Sequence, residues 1–354
     1  MTTVHQLVPN YDYGDAIGNH IRALRRLMRG WGWTSDVYAQ YRHEKLMGDG
    51  LYFSKYWDVA SPSHVVLFHF SIGSDVTRFF TSLPARKVVI YHNITPAEYF
   101  DGVNARVADR CRKGRAELLR LVDATDLALG VSEFNRQELE AAGFRRTGVL
   151  PILVDWDKYA APPIPALLRR YERGTSLLSV GRIAPNKRID DLIKTYHFYR
   201  RLDRESRLLI VGSTVDTEGY QAACAKLAGD LGIADGVIFT GSVSQEELCS
   251  YYRLATLYLT LSEHEGFCVP LLEAMHFGLP VVARAAAGIP GTMGSAGLLV
   301  PDKDYPTIAE LVHEVVSEPT LRDAVVAGQR ERLKAFDAAV IGAQLRHYLG
   351  DLVP

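Results

Sequence analysis

The chain has 354 residues, of which 47% are hydrophobic and 23% charged, and its formal net charge is −1. Such a composition is typical of a globular enzyme, and so small a net charge excludes recruitment of nucleic acid by the overall electric field. The length favours two domains over one.

Four cysteines are widely spaced along the chain, at Cys111, Cys224, Cys249 and Cys268. They form neither a CxxC zinc or redox motif nor a disulfide framework, which favours a reducing, cytoplasmic location. The amino-terminal stretch lacks the basic and apolar regions of a signal peptide, and no apolar run approaches the roughly 20 residues of a spanning helix. The sequence therefore predicts neither a signal peptide nor a transmembrane helix.

The first half of the chain alternates short β-branched runs with helical patterns. Strands are predicted in HQLV, SDVYA, HVVLFHF, RKVVIYH, DLALGV and TGVLPIL, and helices over residues 18–29 and 106–121. Such alternation is typical of a parallel sheet with helices on both faces.

A proline-rich stretch within residues 155–174 interrupts this pattern and predicts a linker. Strands then resume in SLLSVGR, RLLIVGS, GVIFTGS, ATLYLTLS, LPVVAR and GLLVP. The predicted fold is α/β with two domains, each built on a parallel sheet. Residues 1–155 form the first domain, which the helix 337–354 is predicted to rejoin, and residues 156–336 form the second.

The stretch SEHEGFCVPLLEAM places two acids, Glu265 and Glu273, around a predicted helix start. Pro270 suits the first turn of a helix, and the loop before it follows a buried strand, where open α/β sheets bind ligands. Amides at such a helix start suit phosphate or sugar oxygens, and they belong here to Gly266, Phe267, Cys268 and Val269. The apolar neighbours of Glu273 place this acid on or beside a buried face.

Two further stretches carry candidate site residues at the ends of predicted strands. In LLSVGRIAPNKR, the cations Arg182 and Lys187 lie five positions apart in a loop, which suits a pyrophosphate. In YHNITP, His92 ends a strand of the first domain and is followed by a turn. A solvated cation or a packed imidazole is the competing interpretation for each of them.

Together these stretches resemble the family 4 glycosyltransferases, which are retaining enzymes of the GT-B fold. The resemblance implies two Rossmann-like domains that face a cleft. EHEGFCVPLLEAM matches the E-x7-E signature of the family, GRIAPNKR its diphosphate loop and HNITP its first-domain histidine. The resemblance implies that Glu265 lies at the donor sugar, that Glu273 binds the ribose, and that Arg182 and Lys187 hold the donor diphosphate. It also implies that His92 contacts the transferred sugar.

The resemblance further implies sugar transfer from a nucleotide sugar to a hydroxyl acceptor, with retention and without a metal or other cofactor. The catalytic groups would be His92, Glu265, Arg182 and Lys187, and Glu265 stays open as a nucleophile. The base (UDP, GDP or dTDP type), the sugar and the acceptor are left undetermined. A GT-B nucleotide-sugar epimerase and a non-catalytic nucleotide-sugar-binding protein are the alternative functions.

Three positions depart from the family pattern. The glycine-rich first loop reads GDAIGN, so Gly14 is kept as an acceptor or phosphate contact while Asp15 replaces a second glycine. Gly291 stands where relatives usually carry a glutamate. The DWD at residues 155–157 has the spacing of a metal motif of the other glycosyltransferase fold, but its place at the linker argues against that role.

Basic residues cluster in two predicted helices of the first domain, in NHIRALRRLMRG and RVADRCRKGR. A solvated helix face is the simpler interpretation, and peripheral contact with a membrane is the alternative.

Overall fold

The computed structural model describes residues 2–353, which form an α/β structure with two separate parallel sheets. The first sheet consists of β1 (Val4–Tyr11), β2 (Val37–Arg42), β3 (Leu51–Tyr52), β4 (Val65–Phe70), β5 (Arg86–Tyr91), β6 (Leu127–Gly130) and β7 (Thr147–Val149). The second consists of β8 (Ser176–Val180), β9 (Arg207–Val211), β10 (Val237–Gly241), β11 (Leu257–Thr260), β12 (Val281–Arg284) and β13 (Leu298–Val300).

Helices connect almost all of these strands. They are α1 (Ala16–Gly30), α2 (Asp75–Ser82), α3 (Ala105–Leu121), α4 (Glu133–Ala142), α5 (Pro165–Arg170), α6 (Ile189–Leu202), α7 (Glu218–Asp230), α8 (Gln245–Leu254), α9 (Val269–His276), α10 (Ile289–Met293), α11 (Tyr305–Ser317), α12 (Pro319–Leu333) and α13 (Ala338–Leu349).

The chain divides into two compact units. The first unit contains the residues up to Glu98, Arg106–Asp155 and those from Ala335 on, and the second contains Tyr99–Ala105 and Trp156–Lys334. The short segment Tyr99–Ala105, which the predicted division assigns to the first domain, thus groups with the second unit. Its Asn104 side chain donates to the carbonyl of Asp216 over 3.0 Å.

Both sheets reverse their strand order at an internal pair of neighbours. The first has the order β3-β2-β1-β4-β5-β6-β7, and the second has the order β10-β9-β8-β11-β12-β13. In each sheet the chain first builds outward on one side and then returns to build on the other. This arrangement leaves a crevice at the carboxyl ends of the two strands where the order reverses.

The structure confirms the predicted strands. Their apolar runs are buried because they lie in sheets that helices cover. All six residues of β4 are buried, and the second unit has a continuous core of aliphatic and aromatic side chains around β8, β9, β11 and α6. The two-residue strand β3 escaped prediction because both of its residues are exposed and show no apolar run.

The last helix, α13, belongs to the first unit, as the fold prediction expects. The Arg346 guanidinium lies 4.2 Å from the centre of the Trp31 ring at the end of α1. The Tyr348 hydroxyl accepts a hydrogen bond from the Val149 amide of β7 over 3.1 Å. These contacts bind the end of the chain to the edge of the first sheet.

Candidate active site

The candidate site of the second unit lies where β8 and β11 run side by side. These two strands pair in parallel, although they are far apart in sequence, and the strand order of the sheet reverses between them. The loops that follow them carry the two motifs found in the sequence. The fold therefore brings Arg182 and Lys187 to the same sheet edge as Glu265.

Asn186 binds the two loops to each other. Its backbone carbonyl accepts from the Glu263 amide over 2.9 Å, and its side-chain amide donates to the His264 carbonyl over 3.0 Å. Asn186 is buried, so these bonds are shielded from water. No motif in the sequence singles out this residue, although it lies between the two predicted cations in a short turn.

Lys187 and Glu265 form an ion pair at this edge, with the lysine ammonium donating to Glu265 Oε1. Burial of the ammonium lowers the pKa of Lys187, but the Glu265 carboxylate more than offsets this effect and holds the pKa above its usual value. Arg182 is more exposed and donates to the Val215 carbonyl over 3.0 Å. A small cavity lined by both cations also includes Gly181, Ser179, Thr260 and Ser262.

The loop after Glu265 is held from behind by a close backbone approach. The Gly288 amide donates to the Glu265 carbonyl over 2.9 Å, and a Cβ at Gly288 would lie only 2.3 Å from the Gly266 carbonyl oxygen. The Thr292 hydroxyl donates to the Phe267 carbonyl over 2.5 Å. Glycine is therefore required at position 288 for the loop to keep this path.

Helix α9 begins at Val269, with Pro270 in its first turn as predicted. The start of a helix leaves its first amides without intrahelical acceptors and carries a partial positive charge. Cys268 precedes the helix in the left-handed region, with φ +69°. Burial raises the pKa of its thiol well above the usual value, so this cysteine is not a reactive thiolate.

Glu273 is buried, and the sequence does not reveal what compensates for that burial. One carboxylate oxygen accepts from the Tyr159 hydroxyl, and the other accepts from the Tyr252 hydroxyl over 2.5 Å. The Tyr252 ring stacks on Phe277 with centroids 5.2 Å apart. A carboxylate offers about four acceptor positions, so Glu273 retains capacity for a ligand hydroxyl.

A network of charges supports the loop around Glu263. The Glu263 carboxylate contacts Arg284 and Lys303, and it accepts from the Tyr99 hydroxyl over 3.2 Å. Asp191 is fully buried on α6. Burial raises the pKa of Asp191, but hydrogen bonds led by those from Lys303 hold it well below its usual range. This network was not found in the sequence because its members are distributed over distant segments.

In the first unit, Gly14 and Asp15 follow β1, at the point where the strand order of that sheet reverses. Gly14 has φ +88° and is exposed. Asp15 is the N-cap of α1, and its side chain accepts from the Gly18 amide over 2.6 Å. The departure from a double glycine thus gives the helix an N-cap.

His92 lies at the end of β5 and is buried together with His69 and His20. One nitrogen from each ring lies within 4.8 Å of the others, a spacing that a metal ion could in principle bridge. However, the Leu153 amide donates to His20 Nδ1 over 2.8 Å. His20 Nδ1 is therefore the acceptor nitrogen, and in a neutral imidazole Nε2 then carries the proton. A protonated nitrogen cannot bind a metal, so the hydrogen bonding disfavours a three-histidine metal site here.

The basic helices of the first unit are largely neutralised by partners of their own unit. Arg25 pairs with Asp49, Arg26 with Asp155, and Arg29 with Asp36. On α3, three cations also lie beside acids: Arg112 beside Asp109, Lys113 beside Glu117 and Arg115 beside Glu138. These pairs leave less free positive charge than the sequence suggests.

The other two departures have simple surroundings. Asp155 of the DWD stretch accepts from Arg26 over 2.8 Å, and Asp157 is exposed. Gly291 is exposed in α10, where a Cβ would meet no atom within 4 Å. No helix among residues 2–353 is long and apolar enough to cross a bilayer.

Two solved structures resemble the chain over almost its whole length. Sucrose-phosphate synthase from Thermosynechococcus elongatus gives a TM-score of 0.75 at 18% identity and covers 99% of both chains. HepE of Anabaena in complex with UDP and glucose gives 0.74 at 17% identity, covering 99% of this chain and 100% of its own. At such identities the likeness concerns the fold, and it confirms the predicted GT-B class of two Rossmann-like domains.

Residues 164–332 match the family model "Glycosyl transferases group 1". This segment carries Arg182, Lys187, Glu265 and Glu273. The match confirms the predicted resemblance to the family 4 glycosyltransferases for this part of the chain.

Two curated relatives match a somewhat larger share of the sequence than the family model does. A GDP-mannose-dependent α-(1-6)-phosphatidylinositol monomannoside mannosyltransferase of Mycobacterium tuberculosis is 30% identical over 236 residues, 62% of this chain and 60% of its own. A D-inositol 3-phosphate glycosyltransferase of Frankia alni is 37% identical over 189 residues, 51% of this chain and 46% of its own. The chain thus spans about half to three fifths of the length of these relatives.

The buried histidines of the first unit predict sensitivity to acid. Burial lowers the pKa of His5 to about 4 and of His20 to about 3, and it lowers the pKa of His69 and His92 well below the usual value. Below pH 6.5 the unfolded chain binds protons that the folded chain does not, so the free energy of unfolding falls as the pH falls. We expect a loss of up to about 1.4 kcal/mol per pH unit for each such histidine until its folded pKa is reached.

Urea denaturation of the full chain between pH 7.5 and pH 5 measures this slope. His20→Gln should reduce it, whereas His347→Gln should not, because His347 is exposed. A free energy of unfolding that stays constant over this range would contradict the prediction.

Proposed function

We propose that the protein is a glycosyltransferase that takes a nucleotide-diphosphate sugar as donor and transfers its sugar to an acceptor hydroxyl with retention. The observation that carries the proposal is the Lys187–Glu265 ion pair, which lies beside Arg182 at the reversal of strand order in the second sheet. Two cations and an acid at such a crevice suit the diphosphate and the sugar of one donor.

The diphosphate would lie against Arg182 and Lys187. A departing nucleoside diphosphate accumulates negative charge, and charge-assisted hydrogen bonds from an ammonium and a guanidinium stabilise it. The amides that begin helix α9 would add a partial positive charge on the same side. With these groups no metal ion is needed, so metal independence is part of the proposal.

The two acids would serve opposite ends of the donor. Glu273, held by Tyr159 and Tyr252, would accept from the ribose diol, and Glu265 would contact the sugar. Glu265 Oε1 already accepts from Lys187, which favours an electrostatic over a nucleophilic role for this carboxylate. From the first unit, we propose that His92 contacts the transferred sugar and that the loop of Gly14 and Asp15 contacts the acceptor or a phosphate.

The relatives suggest which donors to test first. One is described as GDP-mannose-dependent, and HepE was crystallised with UDP-glucose. We therefore take GDP-mannose and UDP-glucose as probes and leave the acceptor open among sugars, lipid-linked sugars and small polyols.

A cytoplasmic location belongs to the same proposal and is supported by four buried cysteines in the free thiol form. Peripheral membrane contact remains a weaker proposal because so many of the basic side chains are paired.

Incubation of the full chain with each donor and a mixture of candidate acceptors, followed by mass spectrometry and NMR of the products, tests the proposal. We expect a glycosylated acceptor with the anomeric configuration of the donor, in equal yield with and without EDTA. Conversion of the donor sugar without an acceptor would favour an epimerase, and binding without turnover would favour a sensor. Loss of turnover in EDTA that Mn²⁺ or Mg²⁺ restores would contradict metal independence.

The cations should control nucleotide affinity. Arg182→Ala and Lys187→Ala should each weaken binding of the nucleoside diphosphate by about 1.5–3 kcal/mol, because each removes a charge-assisted contact. Isothermal titration calorimetry measures this change. Lys226→Ala is the control, since Lys226 is exposed on α7 of the same unit and pairs with Asp230. Unchanged affinity in both site variants, with folding confirmed, would exclude the diphosphate assignment.

The two acids should differ in the kind of defect they cause. Glu273→Gln should weaken the bare nucleoside diphosphate and the intact donor alike, since a ribose contact contributes uniform binding. Glu265→Gln should leave nucleoside diphosphate affinity nearly unchanged but lower kcat, because contacts made in the transition state appear in turnover. Calorimetry and steady-state kinetics separate these effects.

Tyr252→Phe provides the matched control for Glu273. It removes one of the two hydroxyls on the carboxylate but leaves the acid available for the ribose. If Tyr252→Phe and Glu273→Gln lower affinity equally, Glu273 acts by fixing its surroundings and the ribose assignment is wrong.

A further inference from the structure

A chain of hydrogen bonds crosses three neighbouring strands of the first sheet and ends at His92. The Gln6 side-chain amide on β1 donates from Nε2 to the Ile21 carbonyl over 3.1 Å, and its Oε1 lies 2.9 Å from His69 Nε2 on β4. His69 Nδ1 lies 3.0 Å from His92 Nε2 at the end of β5. Gln6 and His69 are fully buried, and His92 is 9% exposed.

The direction of each bond follows from the one before it. A carbonyl oxygen only accepts, so the Ile21 carbonyl fixes the orientation of the Gln6 amide and makes Oε1 the acceptor for His69. His69 must therefore carry its proton on Nε2. Burial and the neighbouring His92 lower the pKa of His69 well below its usual value, so the ring is neutral and its Nδ1 is unprotonated.

The bond between His69 and His92 also has only one possible direction. Because His69 Nδ1 can only accept, His92 must donate from Nε2. Burial likewise keeps His92 neutral, so its Nδ1 carries a lone pair and no proton. Within residues 2–353 this buried Nδ1 has no hydrogen-bond partner. An unpaired buried acceptor is costly, and a ligand that donates to it would recover that cost.

We infer that Gln6 and His69 are positioning residues that hold His92 in the Nε2–H tautomer, so that its Nδ1 accepts a hydrogen bond from a hydroxyl of the bound sugar or acceptor. This inference rests on the proposed function for the identity of the ligand. An unprotonated His92 Nδ1 is a selective contact, because it accepts from a hydroxyl but cannot bond to ether, carbonyl or phosphate oxygens, which have no proton to donate.

The position of the chain within the sheet supports this role. Gln6 and His69 lie on β1 and β4, the two strands between which the order of the sheet reverses, and His92 ends the next strand. The row of hydrogen bonds therefore starts inside the sheet, on β1, and ends at the carboxyl end of β5, on the edge where an open α/β sheet forms its crevice. Gln6, His69 and His92 are polar side chains buried in the sheet, and such burial is costly where it serves packing alone.

The tautomer can be measured without any substrate. Full-length protein labelled with ¹⁵N in its histidine rings would be studied by long-range ¹H–¹⁵N correlation, with His92 assigned by the loss of its signals in His92→Gln. We expect a protonated Nε2 and an unprotonated Nδ1. His69→Phe keeps an aromatic ring but removes the acceptor, and it should convert the His92 signals to a mixture of tautomers.

His5→Asn is the matched control. His5 precedes Gln6 on β1 and is also buried, but it accepts from the Asp36 amide and lies outside the chain of bonds. This variant should leave the His92 spectrum unchanged. Circular dichroism would establish that the variants are folded, and Gln6→Met provides a second way to break the chain if His69→Phe does not fold. A protonated His92 Nδ1 in the native protein would overturn the inference. So would an unchanged His92 spectrum in folded His69→Phe or Gln6→Met, each of which interrupts the row of hydrogen bonds.

Kinetics test the functional half of the inference. For the donor that the native protein uses, His69→Phe should lower kcat/KM roughly 10- to 100-fold, as expected for a group that orients an imidazole, while nucleoside diphosphate affinity stays unchanged. Unchanged kinetics in a variant whose tautomer has changed would overturn the role of Nδ1. Absence of turnover in the native protein, with the expected spectrum, would refute the proposed function and the role of Nδ1, and would leave the tautomer assignment intact.

Discussion

The reversal of strand order between β8 and β11 is the constraint on which the candidate site depends. The helices that connect neighbouring strands of an α/β sheet pack on its faces, and the chain leaves β8 and β11 toward opposite ends of the strand order. The loops after these two strands therefore border a crevice at the edge of the sheet. Asn186 then joins these loops through two backbone contacts, so the cations of one loop and the acid of the other are held at one edge.

Charges in the second unit are buried together with opposite charges or hydroxyls. Removal of a charge from water is expensive, and it is tolerated where an opposite charge and hydrogen bonds compensate for it. Glu265 has Lys187, Asp191 has Lys303 and further donors, and Glu273 has two tyrosine hydroxyls. Such groups are preorganised, because no side chain has to change its charge before a charged ligand arrives.

The first unit solves the same problem with neutral groups. Gln6, His69 and His92 are buried, and burial favours the uncharged imidazole. A row of neutral amide and imidazole groups has a defined donor and acceptor at every step, so one carbonyl fixes the proton positions of the whole row. The second unit thus presents charge at its site, whereas the first presents an oriented hydrogen-bond acceptor.

Local sequence patterns were sufficient to predict the strands other than β3, the type of fold and most candidate site residues. Apolar runs such as VVLFHF can be satisfied only inside a covered sheet, and Pro270 marks the start of α9 through local sterics alone. These signals depend only on residues that are close in sequence, so they can be recognised without knowing which residues they contact in the fold.

The tertiary structure alone decided which side chains meet. The sequence around Glu273 gives no sign of its contact with Tyr159, and the sequence around His92 gives no sign of its link to Gln6 through His69. The arginines of α1 likewise have no recognisable partners in the sequence. The fold brings Asp36, Asp49 and Asp155 beside them. These contacts depend on strand order and helix placement, which arise from packing of the whole chain. A hydrogen bond between distant segments leaves no periodic pattern in either of them, and for that reason it could not be read from the sequence.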